Sequence, residues 1–404
     1  MKIIRAGLTA ANPDNFILKF INKNRLVCNG RSYFVSKYDK IWLVAMGKAA
    51  YAMAKSFHKI VPANGGIIVI PQNYVLDNNK FQVIHAGHPI PNKNSVLAAK
   101  KIIALLQKTG KNDLVVFLIS GGSSALVCLP DGITLGQKIK TTQILLESGA
   151  TISEINTIRK HLSAIKGGKL LSNLHCKAIS YVMSDVVNND LGSIGSGIAY
   201  CDKTTFSDCL GIIAKYGLAK KIPKSVLERL RQGARGKIAE TPKKAIIPNQ
   251  IIATNSDCLD AMLKTAKQLG YKPSLYSGLT GDVESAAQKI LKKFQNSKSC
   301  LVFGGETTVC VKGKGRGGRN QELVLHVMSK SQKNITVASV GTDGIDGNTK
   351  YAGAIFDHVV PLDVAKLYLQ SNNSNSFFTK HGGLIRTGPT HTNLLDIGVV
   401  LKHF

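Results

Sequence analysis

Residues 114–119 read LVVFLI, and the chain then passes at once into Ser120-Gly121-Gly122-Ser123-Ser124-Ala125-Leu126. Six apolar residues with no polar break fit a strand buried on both faces, the kind found in parallel sheets. The pattern recurs. Ile41–Ala45 ends in Met46-Gly47-Lys48-Ala49-Ala50, Gly66–Ile70 and Gln82–Ile84 are further short runs, and Ile179–Met183 ends in Ser184-Asp185. Helix-periodic segments lie between them, as in Val96, Ala99, Ile103 and Leu106. Parallel neighbours need a crossover, usually helical, so such a chain is restricted to sheets covered by helices on both faces.

The second half repeats the alternation. Ile246–Ala253, Lys272–Tyr276, Leu301–Phe303, Thr307–Val311, Ile335–Val340 and Ile397–Leu401 read as strands, with helices at 259–269 and 283–294. The strands around 301–311 are too closely spaced for a crossover, so this sheet is expected to be mixed. With 404 residues, two domains are expected. The expected fold class is α/β: two α/β/α three-layer domains, an N-terminal Rossmann-like, mostly parallel one over 1–240 and a C-terminal mixed-sheet one over 241–404. The stretch 202–244 is polar and Lys-rich, with a helix expected at Ser225–Arg231, and the boundary is placed near 235–245. Residues 13–27, 137–149 and 153–171 read as helices. The last carries Arg159, Lys160, His161, Lys166 and Lys169 and reads as a solvated basic face.

A net charge of +29 raises nucleic acid or an anionic membrane as partners. The lysines are dispersed, aromatics are only 6%, and no helix-turn-helix, zinc-finger or RNP signature occurs, so an anionic small molecule explains the charge better. No run of 18 apolar residues exists and the N-terminus lacks an export signal, so a soluble, cytoplasmic chain without membrane or nucleic-acid partners is expected, as a monomer or homodimer. The eight cysteines form no C-x-x-C pair and read as buried apolar residues.

Gly304–Glu322 reads GGETTVCVKGKGRGGRNQE. Glycines allow backbone amides to approach an anion, a following helix adds its N-terminal amides, and Lys312, Lys314, Arg316 and Arg319 crowd one loop. The direct reading is a site for a phosphate or carboxylate. Gly313, Gly315 and Gly318 also match G-x-G-x-x-G by letter, but interleaved cations do not suit a ribose-reading turn.

Polar groups recur at strand ends: Lys48, Ser120–Ser124, Asp185, Asn255, Glu306 with Arg319, Asp343 with Asp346, and Thr390 with Asn393. Loops at the carboxyl ends of parallel strands converge. Cations, hydroxyls, amides and acids together are what phosphoryl transfer requires: cations neutralise the transferred group, amides cradle its oxygens, and carboxylates hold Mg²⁺ or position the attacking hydroxyl.

The motifs MGKAA, HPIP, SGGSSAL, EINTIRKHLSAIKGG, GGETTV, GKGRGGRNQEL, GTDGIDG with AGAI, and GPTHTN resemble, in order and over nearly the whole chain, the glycerate 2-kinase family (class II, MOFRL-type). The resemblance implies a transferase that uses ATP and Mg²⁺ to phosphorylate D-glycerate at its 2-hydroxyl, in a cleft between two α/β domains. It places the family's active-site lysine on Lys48 and arginine on Arg319. Asp185 joins them as a catalytic candidate. Ser120, Gly121, Gly122, Ser123, Ser124, Asn255, Glu306, Lys314, Asn320 and Thr390 are candidates for substrate or phosphate contact, and Asp185, Asp190, Asp343 and Asp346 for metal. The loop Ser184-Asp-Val-Val-Asn-Asn-Asp190 departs from the family's usual Ser-Asp-Val-Pro-Gly-Asp-Asp but keeps both acids. The alternative activity is a hydroxypyruvate or tartronate-semialdehyde reductase using NAD(P)H, for which 313–318 is the only nicotinamide-site candidate.

Overall fold

The structure, a computed structural model, describes residues 1–72, 74, 80–297, 299–331 and 335–403. The chain divides into two compact units, Phe16–Ile252 and Met1–Asn15 with Ala253–Phe404. Residues 13–27, expected as one helix, instead form a short helix Asp14–Phe20 and then strands β1 (Ile21–Asn22) and β2 (Arg25–Cys28), which continue into β3 (Arg31–Phe34). The Asn22 side chain breaks the helix by accepting the Asn24 and Arg25 amides at 3.1 and 2.9 Å.

The first large sheet holds β4 (Ile41–Met46), β5 (Gly65–Pro71), β6 (Gln82–Ala86), β7 (Leu114–Ile119), β8 (Lys177–Met183) and β9 (Asn249–Ala253) in the order β6-β5-β4-β7-β8-β9. The β4–β8 ladders are all parallel. Every residue of β7 is buried, as its unbroken apolar run demands. Val44, Met46, Val115, Phe117 and Ile119 point into a core with Ala98, Ala99, Ile102 and Leu106 of helix Lys93–Gln107. The alternate residues face the other side, where helix Ala50–Ile60 packs on β4 and β5. The order reverses between β4 and β7, and a doubly wound sheet opens a crevice at such a reversal. The strand read as opening the second half, β9, lies at the edge of this first sheet. The helix expected at Ser225–Arg231 is present as Lys224–Ala234, and with Phe206–Lys215 it shares a core of its own with Leu145, Ile155 and Ile158.

The second large sheet is mixed, as expected: β10 (Pro273–Asp282), β11 (Cys300–Thr308), β12 (Ile335–Gly341), β13 (Gly353–Phe356), β14 (Leu384–Ile385) and β15 (Asp396–Lys402), ordered β10-β11-β15-β12-β13-β14. β10 and β11 are parallel and the other ladders antiparallel. β11 runs straight through Gly304-Gly305 to Thr308, so the strand read at 301–303 continues into the start of the one read at 307–311, and residues 309–311 lie outside it. Glycine is required there because a Cβ on Gly305 would lie 2.1 Å from the Leu279 carbonyl oxygen. Leu301, Phe303, Val337 and Val400 share a core with helices Val283–Gln295 and Arg319–Lys330. Helix Lys2–Ala10 packs on β15 and on helix Asn255–Gln268, with Gly7 letting Ile397 and Met262 approach.

Candidate active site

In the Phe16–Ile252 unit, Lys48 and the Ser120–Leu126 turn follow β4 and β7, the two strands flanking the reversal. The Lys48 amide donates to the Gly121 carbonyl at 2.9 Å, and Ser120 Oγ accepts the Ala49 amide at 3.0 Å. Gly47 has φ 124°, and a Cβ there would stand 2.2 Å from Ser120 Oγ, so the close approach requires glycine. Gly122, at φ 85°, leaves room for the His88 ring and the Lys48 stem. Asp185, at the end of the neighbouring β8, lies beside the Gly122 amide and Lys48. Burial pushes its carboxyl pKa up, against the pull of its own backbone amide, of Lys48 and of the Gly122 amide. Lys48, Ser120–Ser124 and Asp185 are thus brought together by adjacent parallel strand ends. Asp190 is exposed and spends its oxygens locally, on the Gly192 amide at 3.1 Å and the Ser193 hydroxyl at 2.6 Å.

The helix carrying Arg159, Lys160 and His161 is not a solvated basic face, and it ends at His161 rather than reaching 171. Lys160 and His161 are buried. Lys160 pairs with Asp202 at 3.1 Å, and His161 bridges the Thr157 carbonyl at 2.8 Å and Glu240 at 3.2 Å.

In the other unit, Arg319 opens helix Arg319–Lys330. Its Nε and Nη2 donate to Asp396 at 2.6 and 3.0 Å, and Nη1 reaches Glu306 at 2.8 Å. Burial alone would lower the guanidinium pKa, but Asp396, Glu306 and nearby Asp343 outweigh it and hold the charge firmly. Asp346, on the loop after β12, caps the helix. Its carboxylate accepts the Asn320 and Gln321 amides at 3.0 and 2.9 Å and both their side-chain amides at 3.2 and 3.0 Å. Burial nevertheless pushes its pKa up to about 6.

This overturns the simple anion-loop reading of 312–321. The helix amides are taken by Asp346. The Lys312 and Gly313 amides go to Asn372, those of Gly315, Arg316 and Gly317 to Ser371, Asn373 and Asn348. The glycines lie against the chain itself: a Cβ on Gly313 would meet the Ser371 backbone at 2.3 Å, and one on Gly318 would meet Asp346 at 2.4 Å. The same packing denies the G-x-G-x-x-G letters an open pyrophosphate cradle. Lys312, Lys314 and Arg316 remain exposed.

Three further candidates serve the architecture. Asn255 donates to the Leu394 and Asp396 carbonyls at 2.7 and 3.0 Å, Asn320 accepts from Ser339 at 2.6 Å, and Thr390 bonds the Thr342 carbonyl. Asp343 is buried near Arg319 and accepts the Ile345 amide at 3.1 Å. Asp396, which holds Arg319, was not singled out by the sequence. Its only signal is an acid interrupting the apolar run Leu394-Leu395-Asp396-Ile397. Among the described residues no three His, Cys, Asp or Glu side chains gather as a metal site, and no helix is long and apolar enough to cross a membrane.

Two family profiles match the chain: a domain of unknown function (DUF4147) over residues 1–231 and the MOFRL family over 299–396. The glycerate 2-kinase of Pyrococcus horikoshii is 36% identical, with 99% of this chain and 96% of that protein covered. The D-glycerate 2-kinase of Thermotoga maritima is 32% identical over 98% and 96%. An Agrobacterium vitis protein with a provisional hydroxypyruvate reductase name is 36% identical over 89% and 86%. The crystal structure of the Thermotoga maritima glycerate kinase superposes with a TM-score of 0.82 at 33% identity, covering 100% of this chain and 98% of that one. The chain belongs to the MOFRL-type glycerate 2-kinase family.

Proposed function

We propose that the protein transfers the terminal phosphoryl group of ATP to the 2-hydroxyl of D-glycerate, giving 2-phosphoglycerate and ADP. The observation that carries this reading is end-to-end similarity to glycerate 2-kinases together with a charged Arg319 fixed by two carboxylates and a Lys48–Asp185 pair at the sheet reversal. The glycerate 2-oxygen attacks the γ-phosphorus, the bond to the β–γ bridging oxygen breaks, and the hydroxyl proton passes to a carboxylate. Asp185 is assigned that proton, because burial raises its affinity for one. Lys48, beside Asp185, is assigned the charge that spreads over the transferred group; Arg319 is assigned an anionic oxygen of a bound reactant, for which it keeps a hydrogen on each terminal nitrogen.

Mg²⁺ fits the donor set. It takes one or two carboxylates plus substrate phosphates rather than an all-protein cage, and it neutralises phosphate charge when bound. Asp343 is the carboxylate assigned to it, since Asp185 is assigned the proton and Asp190 and Asp346 spend both oxygens on the chain itself. A cytoplasmic location accords with this reaction.

A coupled assay with ATP, Mg²⁺ and D-glycerate that resolves 2- from 3-phosphoglycerate tests the reading. It should yield the 2-phosphate. NADH oxidation by hydroxypyruvate with no ATP consumed would replace it with the reductase reading.

A further inference from the structure

Lys166 lies in the turn after the inward-facing basic helix and is only 2% exposed. A buried ammonium with no carboxylate must spend its hydrogens on neutral oxygens. Its Nζ donates to the Ser123 carbonyl at 3.3 Å and to the Gly195 carbonyl at 2.9 Å. These carbonyls belong to two segments, the turn after β7 and the glycine loop 191–197.

A second tie runs beside the first. Ser196 Oγ donates its one proton to Asn156 Oδ1 at 3.1 Å, so in its 2.7 Å contact with Ser124 Oγ it accepts. The Gly167 and Gly168 amides donate to the Ser196 and Gly197 carbonyls at 3.1 and 2.8 Å. Gly195, at φ 59°, tolerates no side chain, because a Cβ would stand 2.6 Å from Ser123 Oγ. Three segments are therefore locked onto the turn that meets Lys48 and Asp185.

We propose that Lys166 is a positioning residue for this turn: by bridging the Ser123 and Gly195 carbonyls it sets where the Gly122 amide and Lys48 meet an anionic oxygen of a phosphate or carboxylate. This rests on the kinase reading. The bridge works through hydrogen bonds rather than charge. Burial pushes the ammonium down to about 7, with Cys128 opposing and Lys138 and Arg159 adding repulsion. The neutral amine formed above that pH keeps N–H groups for both carbonyls.

The test is steady-state kinetics and melting temperature of wild type, Lys166→Met and Lys166→Arg at pH 7 and pH 9. Lys166→Met should raise KM for one reactant on the order of tenfold at both pH values, because misplacing a contact by a fraction of an ångström is costly. Lys166→Arg should recover part of it. A raised KM for ATP identifies the oxygen as phosphate, and one for D-glycerate as carboxylate. Wild-type KM should stay within about threefold from pH 7 to 9, since the neutral amine still bridges. A lower melting temperature with both KM values unchanged would overturn the proposal, as would a wild-type KM that climbs to the Lys166→Met value by pH 9. If Lys166→Met does not fold, Lys166→Gln keeps a donor on a side chain too short to span both carbonyls and should raise the same KM; an unchanged KM there overturns the bridge. Should wild type show no turnover, the kinase reading alone falls. Calorimetric titration of ATP and of D-glycerate then decides the bridge, equal affinities in wild type and Lys166→Met overturning it.

Discussion

Ser120–Leu126 and Gly313–Gln321 look alike as sequence: each is a glycine-rich turn that ends at the start of a helix. Their backbone amides are spent differently. In the first, the Gly122 amide lies near the Asp185 carboxylate and Lys48, at the reversal of a parallel sheet. In the second, the amides of 312, 313, 315–317, 320 and 321 are all consumed by the chain's own groups. A glycine turn is an anion site only where its amides are left for a ligand or for a side chain that a ligand can exchange with. In the second turn the chemistry rests on one side chain, Arg319, and the glycines serve packing.

The largest effect should come from Lys48→Ala, which removes the only cation at the first turn's mouth among the residues assigned to it. Turnover should fall on the order of 10²- to 10³-fold with the melting temperature retained. A near-normal rate would break the comparison on that side. Asp396→Asn comes next. It loosens the paired guanidinium, and kcat should fall on the order of tenfold while KM changes less, because Arg319 stays charged but loses its orientation. Asp346→Asn should cost about 1–3 kcal/mol of stability by chemical unfolding, since buried amides at the helix start lose their charged acceptor. No loss would mean that the loop amides are not held as described. Gly122→Ala is the mildest. A left-handed backbone disfavours alanine by about 1 kcal/mol, and KM should rise only as far as the His88 ring is displaced.

The sequence made the sheets legible because β4, β5, β7 and β8 are apolar on both faces, leaving no helical alternative. Lys48, Ser120–Ser124 and Asp185 could be grouped for the same reason: strand ends in a parallel sheet are neighbours whatever their separation along the chain. Asp396 could not be found this way, because it lies at the start of an antiparallel strand and reaches Arg319 only through tertiary pairing. The basic segment 159–169 misled for a related cause. Charge normally marks solvent, and only the placement of Asp202, Glu240 and paired carbonyls reveals that Lys160, His161 and Lys166 point inward. β9 was attached to the wrong sheet because partner choice for an edge strand is not written in its own residues.

The most direct test of the account is to compare kcat/KM of Arg319→Ala with that of the double variant Lys312→Ala, Arg316→Ala, at low and at physiological salt. The half-buried, doubly paired Arg319 should be worth on the order of 10²-fold or more at both salt concentrations. The two exposed cations should matter less than about threefold, and only at low salt, because mobile ions screen them. Equal losses in the two variants, or a loss in Arg319→Ala that vanishes with salt, would contradict the claim that one fixed guanidinium rather than a basic loop carries this half of the chemistry.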